Sequence, residues 1–118
     1  MKSGSRHCLV LAAAFVSAIS SNAPAEARAE QAISQSIADY RAKIVPILEA
    51  HCYECHGDGY DKGRVAFDAL ETDAQILDPA LWLKVLNNTR AGLMPADDNP
   101  LLSPAEQATL EHWIKYGV

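Results

Sequence analysis

The sequence predicts an all-α fold, and three observations predict it. Apolar residues recur at helical spacing in three separate stretches, and two of these open on an Asp-Pro or Ser-Pro pair of the kind that starts a helix. No run of alternating apolar and polar residues is long enough for a sheet strand. The chain has 118 residues, 49% hydrophobic and 21% charged, which suffices for one domain and not two.

The first stretch stands apart from the fold. Lys2 and Arg6 give it a positive start, and an apolar run follows from Cys8 to Ile19. Ser20-Ser21-Asn22 and the small-x-small sites Ala23-Pro24-Ala25 and Ala25-Glu26-Ala27 close it. Charge, apolar centre and small-residue exit are the parts of a secretory signal peptide, here residues 1–27. The rival reading is a membrane anchor, but a bilayer span needs about 20 apolar residues and this run is much shorter. Cys8 opens the run, whereas a lipidated cysteine would close it. Residues 28–118 are then a periplasmic or secreted domain, attached to a membrane only if the leader is kept. Losing Lys2, Arg6 and Glu26 moves the formal charge from −5 to −6. An acidic exported protein suits a partner with a basic docking face, and association with it is salt-dependent. The ten basic residues are scattered, which speaks against a nucleic-acid partner.

Residues 28–50 read as helix, with Ile33, Ile37, Tyr40 and Ile44 on one face. Pro46 interrupts the pattern. Either the helix kinks there, or Pro46 opens a second helix that runs into Cys52; a break is expected, because proline inside a helix costs about 3 kcal/mol. Residues 56–64, with Gly57, Gly59 and Gly63 among aspartates, read as a loop. Val65–Leu70 is too short to assign. Asp78-Pro79 starts a helix with Asp78 as N-cap, Leu81, Trp82, Val85 and Leu86 facing inward, and Gly92 just past its end. Residues 93–102 form a loop holding two prolines and Met94. Ser103-Pro104-Ala105-Glu106 is a capping box that starts the last helix, with Leu110, Trp113, Ile114 and Gly117 on or near one stripe.

The motif that carries chemistry is Cys52-Tyr53-Glu54-Cys55-His56. C-x-x-C-H is a haem-attachment signature. Two thiols one turn apart reach the two vinyl groups of one porphyrin and form thioethers, which leaves the adjoining His56 under the iron as proximal ligand. Other uses of the pair fit less well. A disulfide across two residues adds little stability. A zinc site needs a second ligand pair, and beyond His56 the mature chain holds only His51, next to Cys52, and His112. A thioredoxin-like pair needs a β-α-β setting that is not predicted here.

Met94 is the candidate distal ligand. It is the only methionine besides Met1, and Pro95 stiffens the backbone after it. A thioether suits an iron that cycles between ferrous and ferric and raises its potential. The alternatives are that Met94 fills a core gap, or that His112 is the ligand, although His112 sits mid-helix on a face expected to be solvated. Trp82 and Trp113 read as plain core. Pro46 is a candidate for the proximal side, Gly57 for a turn under the haem edge, and Arg64 or Arg90 for pairing with a propionate. About ninety residues with seven aromatics bury a modest apolar area, so a cofactor at the centre is expected, as is a haem-free chain that is unfolded or molten.

With these residues in view, the sequence resembles a class I c-type cytochrome over roughly residues 44–118. The resemblance rests on Cys52–Gly57, on Met94-Pro95, on Leu102–Glu106 and on Trp113–Gly117. More narrowly it resembles the planctomycete-type cytochrome c domain, through Pro46-Ile47-Leu48 before Cys52, Lys62-Gly63 after the haem motif, and the Leu-Ser-Pro-x-Glu then Trp-Ile-x-x-Gly ending. It departs from that family in standing almost alone, where such domains often sit in longer proteins, and in the featureless stretch Val65–Leu77. The resemblance implies three to five helices around one covalent haem c, His56 proximal, Met94 distal, and first and last helices crossing beside the haem. It implies a one-electron carrier rather than an enzyme, because Met94 closes the iron's open position. The alternatives carried forward are a dedicated electron-transfer subunit of a periplasmic oxidoreductase and a haem-based sensor in which a gas replaces Met94.

Overall fold

The first fold question is how a helix tolerates Pro46. Proline lacks the N–H that would bond four residues back, and its ring crowds the carbonyl there. The computed structural model describes residues 24–96 and 99–118. In it, helix α1 (Ala25–Asp39) does not stop at the proline. It widens into one π-helical turn over Tyr40–Ile44 and continues as α2 (Val45–His51). The Val45 N–H bonds the Tyr40 carbonyl, five residues back. The expected break is thus replaced by a π-bulge just ahead of Pro46, which makes room for the ring and keeps the helical direction. Tyr40 and Ile44, both within this turn, are buried.

The remaining elements are short except at the end. A single turn, α3 (Tyr53–His56), follows α2 directly. The 56–64 loop ends in a 3₁₀ turn, Lys62–Arg64, and the unassigned stretch holds another, Phe67–Ala69. Helix α4 (Asp73–Ile76) is one turn closed by a Thr72/Gln75 capping box. Helix α5 (Pro79–Arg90) starts as expected, with the Ala80 N–H donating to Asp78 Oδ1 at 2.9 Å. Helix α6 (Pro104–Tyr116) starts on the expected Ser103/Glu106 box. All elements among the described residues are helical, so the class is all-α. Six α-helical segments are described, and four of them exceed one turn.

The core sits where α6 meets the π turn and α5. Trp82, Ile44, Leu48 and Leu110 are fully buried. Trp82 lies at its centre, with Trp113 edge-on at 4.8 Å and Phe67 stacked at 5.9 Å between ring centroids. Each indole N–H finds a carbonyl: Trp82 Nε1 donates to Ile76 at 2.6 Å, and Trp113 Nε1 donates to Ser36 at 3.0 Å. The second bond ties the last helix to the first. Buried tryptophan needs such a partner, since an orphaned N–H costs about 1–3 kcal/mol. Both tryptophans are therefore core, as expected. Residues 1–23 of the expected leader lie outside the described residues, and the remainder of it forms the exposed start of α1. Among the described residues no helix is long and apolar enough to cross a membrane.

Two carboxylates on α6 make the fold acid-sensitive. Arg90 grips Glu111 with two bonds, 2.9 Å and 2.6 Å, joining α5 to α6. Arg90 first and then Gln107 hold the Glu111 carboxyl down at about 2. Contact with the Ser103 side chain and backbone N–H, ahead of His51, holds Glu106 down at about 2 as well. A carboxyl whose folded pKa is depressed adds stability above its unfolded value and loses it as pH falls through the folded value. The melting temperature should therefore hold level to about pH 4.5 and fall steadily toward pH 2, as read by circular dichroism. A flat profile across that window would contradict the assignment.

Candidate cofactor site

The Cys52–His56 segment is a single helical turn. Cys52 ends α2, its N–H bonding the Leu48 carbonyl at 2.7 Å. Its own carbonyl accepts from the Cys55 N–H at 3.2 Å and the His56 N–H at 2.9 Å. The turn brings Cys52, Cys55 and His56 to the wall of one cavity. Both thiols are free and half-buried. Burial pushes the Cys52 thiol up to about 11. Redox-active dithiols depend on a lowered thiol pKa, so this environment counts against a thioredoxin-like role.

His56 is held by one nitrogen and free at the other. Its Nδ1–H donates to the Val65 carbonyl at 3.1 Å, and its ring meets Phe67 edge-on at 5.8 Å. Donation from Nδ1 sets the tautomer and leaves the Nε2 lone pair for a metal, the usual arrangement behind a histidine ligand.

Gly57 has a different reason from the one expected. Its backbone is extended, with φ −168° and ψ −175°, a conformation open to any residue. What demands glycine is the Tyr53 ring, whose Cγ would lie 2.7 Å from an added Cβ. The obstacle is the stem of the ring and cannot swing away cheaply. Gly57→Ala should cost about 1–3 kcal/mol by overpacking, checked by denaturant midpoint. An unchanged midpoint would mean that Tyr53 yields freely.

The facing wall comes from α5 and the loop after it. Leu81, Val85 and Asn88 face the cavity from the helix, and Met94, Pro95 and Ala96 from the loop. A Schellman motif turns the chain from one to the other. Gly92 takes a left-handed φ of +67°, its N–H bonds the Thr89 carbonyl at 3.2 Å, and the Leu93 N–H bonds the Asn88 carbonyl at 2.9 Å. The Met94 N–H approaches the same Asn88 carbonyl at 3.3 Å. Asn88 thus fixes the near end of the loop, and Met94 is delivered to the cavity at 36% exposure.

The cavity has a volume of about 290 Å³, near the lower end of small-molecule sites, about 300–1,000 Å³. Its walls are chiefly apolar, including Val65, Phe67, Leu81 and Val85. Two thiols, one imidazole with a free Nε2 and one thioether lie around it. This set fits an iron porphyrin better than a bare metal ion. Among the described residues no three His, Cys, Asp or Glu side chains converge as a metal site would require. A porphyrin supplies four iron ligands itself, so the protein need add only His56 and Met94.

Cys52, Cys55, His56 and Met94 are therefore brought together, and other candidates are not. His112 is exposed on α6 against Tyr116, at 4.8 Å between rings, and does not line the cavity. Arg90 is occupied by Glu111. Arg64 and Pro46 do not line the cavity either, but Lys62 and Lys84 do and are the cations available to anionic groups there. Sequence reasoning quoted Lys62 only as part of the family resemblance and did not single out Lys84, since a lone exposed lysine carries no signal of its own. It weighed His51 only as a zinc ligand, whereas His51 lines the cavity beside Cys52 and bonds both Pro100 and Glu106. Comparison of the chain with protein-family models, curated proteins and solved structures gave no match.

Proposed function

We propose that the protein is an exported single-haem c-type cytochrome that passes one electron at a time and catalyses no reaction of its own. The observation that carries this reading is the convergence of Cys52, Cys55, His56 and Met94 on one apolar cavity, with His56 Nδ1 already committed to Val65. Cys52 and Cys55 would hold the haem as thioethers, and His56 and Met94 would be its axial ligands. When bound, the haem supplies the one-electron couple. The chain's own residues attach it, orient the imidazole and exclude water with Val65, Phe67, Leu81 and Val85. Lys62 and Lys84, which line the cavity, would balance propionate charge. Such an arrangement would be the class I, planctomycete-type architecture that the sequence resembles. The acidic domain would dock on a basic partner, weakly and quickly.

A potentiometric titration tests the reading. The haem-loaded protein should give one wave with a one-electron slope, together with salt-dependent electron exchange with basic donor or acceptor proteins. A protein with no redox wave would contradict it. One observation favours the second reading, a permanently docked electron-transfer subunit. Leu93 and Leu101 stand 63% and 64% exposed on the loop that carries Met94, and exposed apolar patches mark interaction surfaces.

A further inference from the structure

We propose that His51 is the positioning residue for Met94: it clamps the far end of the distal loop to the helix that leads into the haem-attachment turn. This rests on the cytochrome reading above.

The near end of the loop is held by the Asn88 carbonyl, which accepts from Leu93 and Met94. Among the described residues of the far end no helix forms before α6 begins. His51 spans that gap from the last residue of α2. Its Nδ1–H donates to the Pro100 carbonyl at 2.9 Å, across 49 residues of sequence. Its Nε2–H donates to Glu106 Oε1 at 3.1 Å, across 55 residues. The Glu106 carboxylate is shared: Oε2 accepts from the Ser103 N–H at 2.8 Å and so caps α6, while Oε1 receives His51.

The His51 side chain is only 10% exposed, so water competes little for these bonds. Both partners are acceptors, so each bond is made through a ring nitrogen that carries its hydrogen. The result is a strap. Met94 hangs in a short loop whose one end is bonded to Asn88 and whose other end is bonded to the residue immediately before Cys52. Fixing both ends fixes how far the thioether sulfur can retreat from the cavity. His51 acts on Met94 through Pro100 and the loop.

The strap makes an ordered prediction across three variants of the haem-loaded protein. Asparagine places its amide near the position of Nδ1 and can still donate to Pro100. Glutamine reaches instead toward the position of Nε2 and Glu106. Leucine does neither. Cyanide binding to the ferric protein measures how readily Met94 leaves the iron, and the far-red sulfur-to-iron band reports its presence. Loss of a residue that orients a metal ligand typically costs about 10–100-fold. His51→Leu and His51→Gln should bind cyanide faster by about that factor and weaken the far-red band, and His51→Asn should stay close to native.

A purely structural histidine would lower the melting temperature in all three without ordering the cyanide rates. Equal rates in native, Asn and Gln proteins, with the far-red band intact in native, would overturn the clamp and leave the cytochrome reading standing. A native protein without covalent haem would overturn both. If His51→Leu does not accumulate, the comparison of Asn with Gln decides alone.

Discussion

Replacing both cysteines, Cys52→Ala with Cys55→Ala, is expected to abolish covalent haem and with it the cooperative fold. Among the described residues the buried core consists of ten hydrophobic residues, and a cavity of about 290 Å³ lies between the Cys52–His56 turn and α5. Without haem the apolar walls of this open cleft, Val65, Phe67, Leu81 and Val85, face water, and burying apolar surface is worth about 25 cal/mol per Å². A small domain is stable by about 5–15 kcal/mol in total. Leaving those walls unburied therefore removes an appreciable part of the available stability. His56 and Met94 could still hold haem reversibly, but dilution would strip it. The variant should show weak near-ultraviolet circular dichroism, since Trp82 and Trp113 would lose their fixed surroundings. It should also melt without a sharp transition. A double variant that melts sharply near the native temperature would show that the helices pack without the cofactor.

The second large effect is expected at Met94. Met94→Ala should open the sixth iron position, let carbon monoxide bind the reduced protein and lower the potential. A thioether favours ferrous over ferric iron, and each tenfold loss of that preference is worth about 59 mV for one electron. Loss of one to two powers of ten gives a fall of about 60–120 mV. Stability should change little by comparison, because Met94 is 36% exposed and contributes little burial. Unchanged potential and spectrum would remove Met94 from the site. His112 would not inherit the role, since it is exposed outside the cavity.

How far the sequence was legible depends on the range of the interaction. Helix starts were legible, because Asp78 and Ser103-x-x-Glu106 bond backbone groups two and three residues away. The Thr72/Gln75 box has the same pattern and went unread only because the helix it caps is a single turn. The Cys52–His56 turn was legible because its two thiols and its imidazole fall within five residues of sequence. The π turn was not. Sequence shows the strain at Pro46 but not whether a helix breaks or widens to relieve it, and burial of Tyr40 and Ile44 favours widening. Gly57 was recognised for its position and misread for its cause, since the Tyr53 ring that excludes a Cβ is a packing fact. The Val65 carbonyl that orients His56 is a backbone group and leaves no trace in residue type. The His51 strap joins residues about fifty positions apart, beyond the reach of any local pattern.

The most direct test of the central claim is an absorption spectrum of the protein made in a host with c-type haem maturation, taken oxidised and reduced and repeated after acid–organic extraction. Covalent haem with His56 and Met94 as ligands predicts sharp low-spin bands in both states, a weak far-red band in the oxidised form, and colour that stays with the polypeptide through extraction. A colourless protein, or colour that leaves with the solvent, would contradict it and return Cys52, Cys55 and His56 to other chemistry.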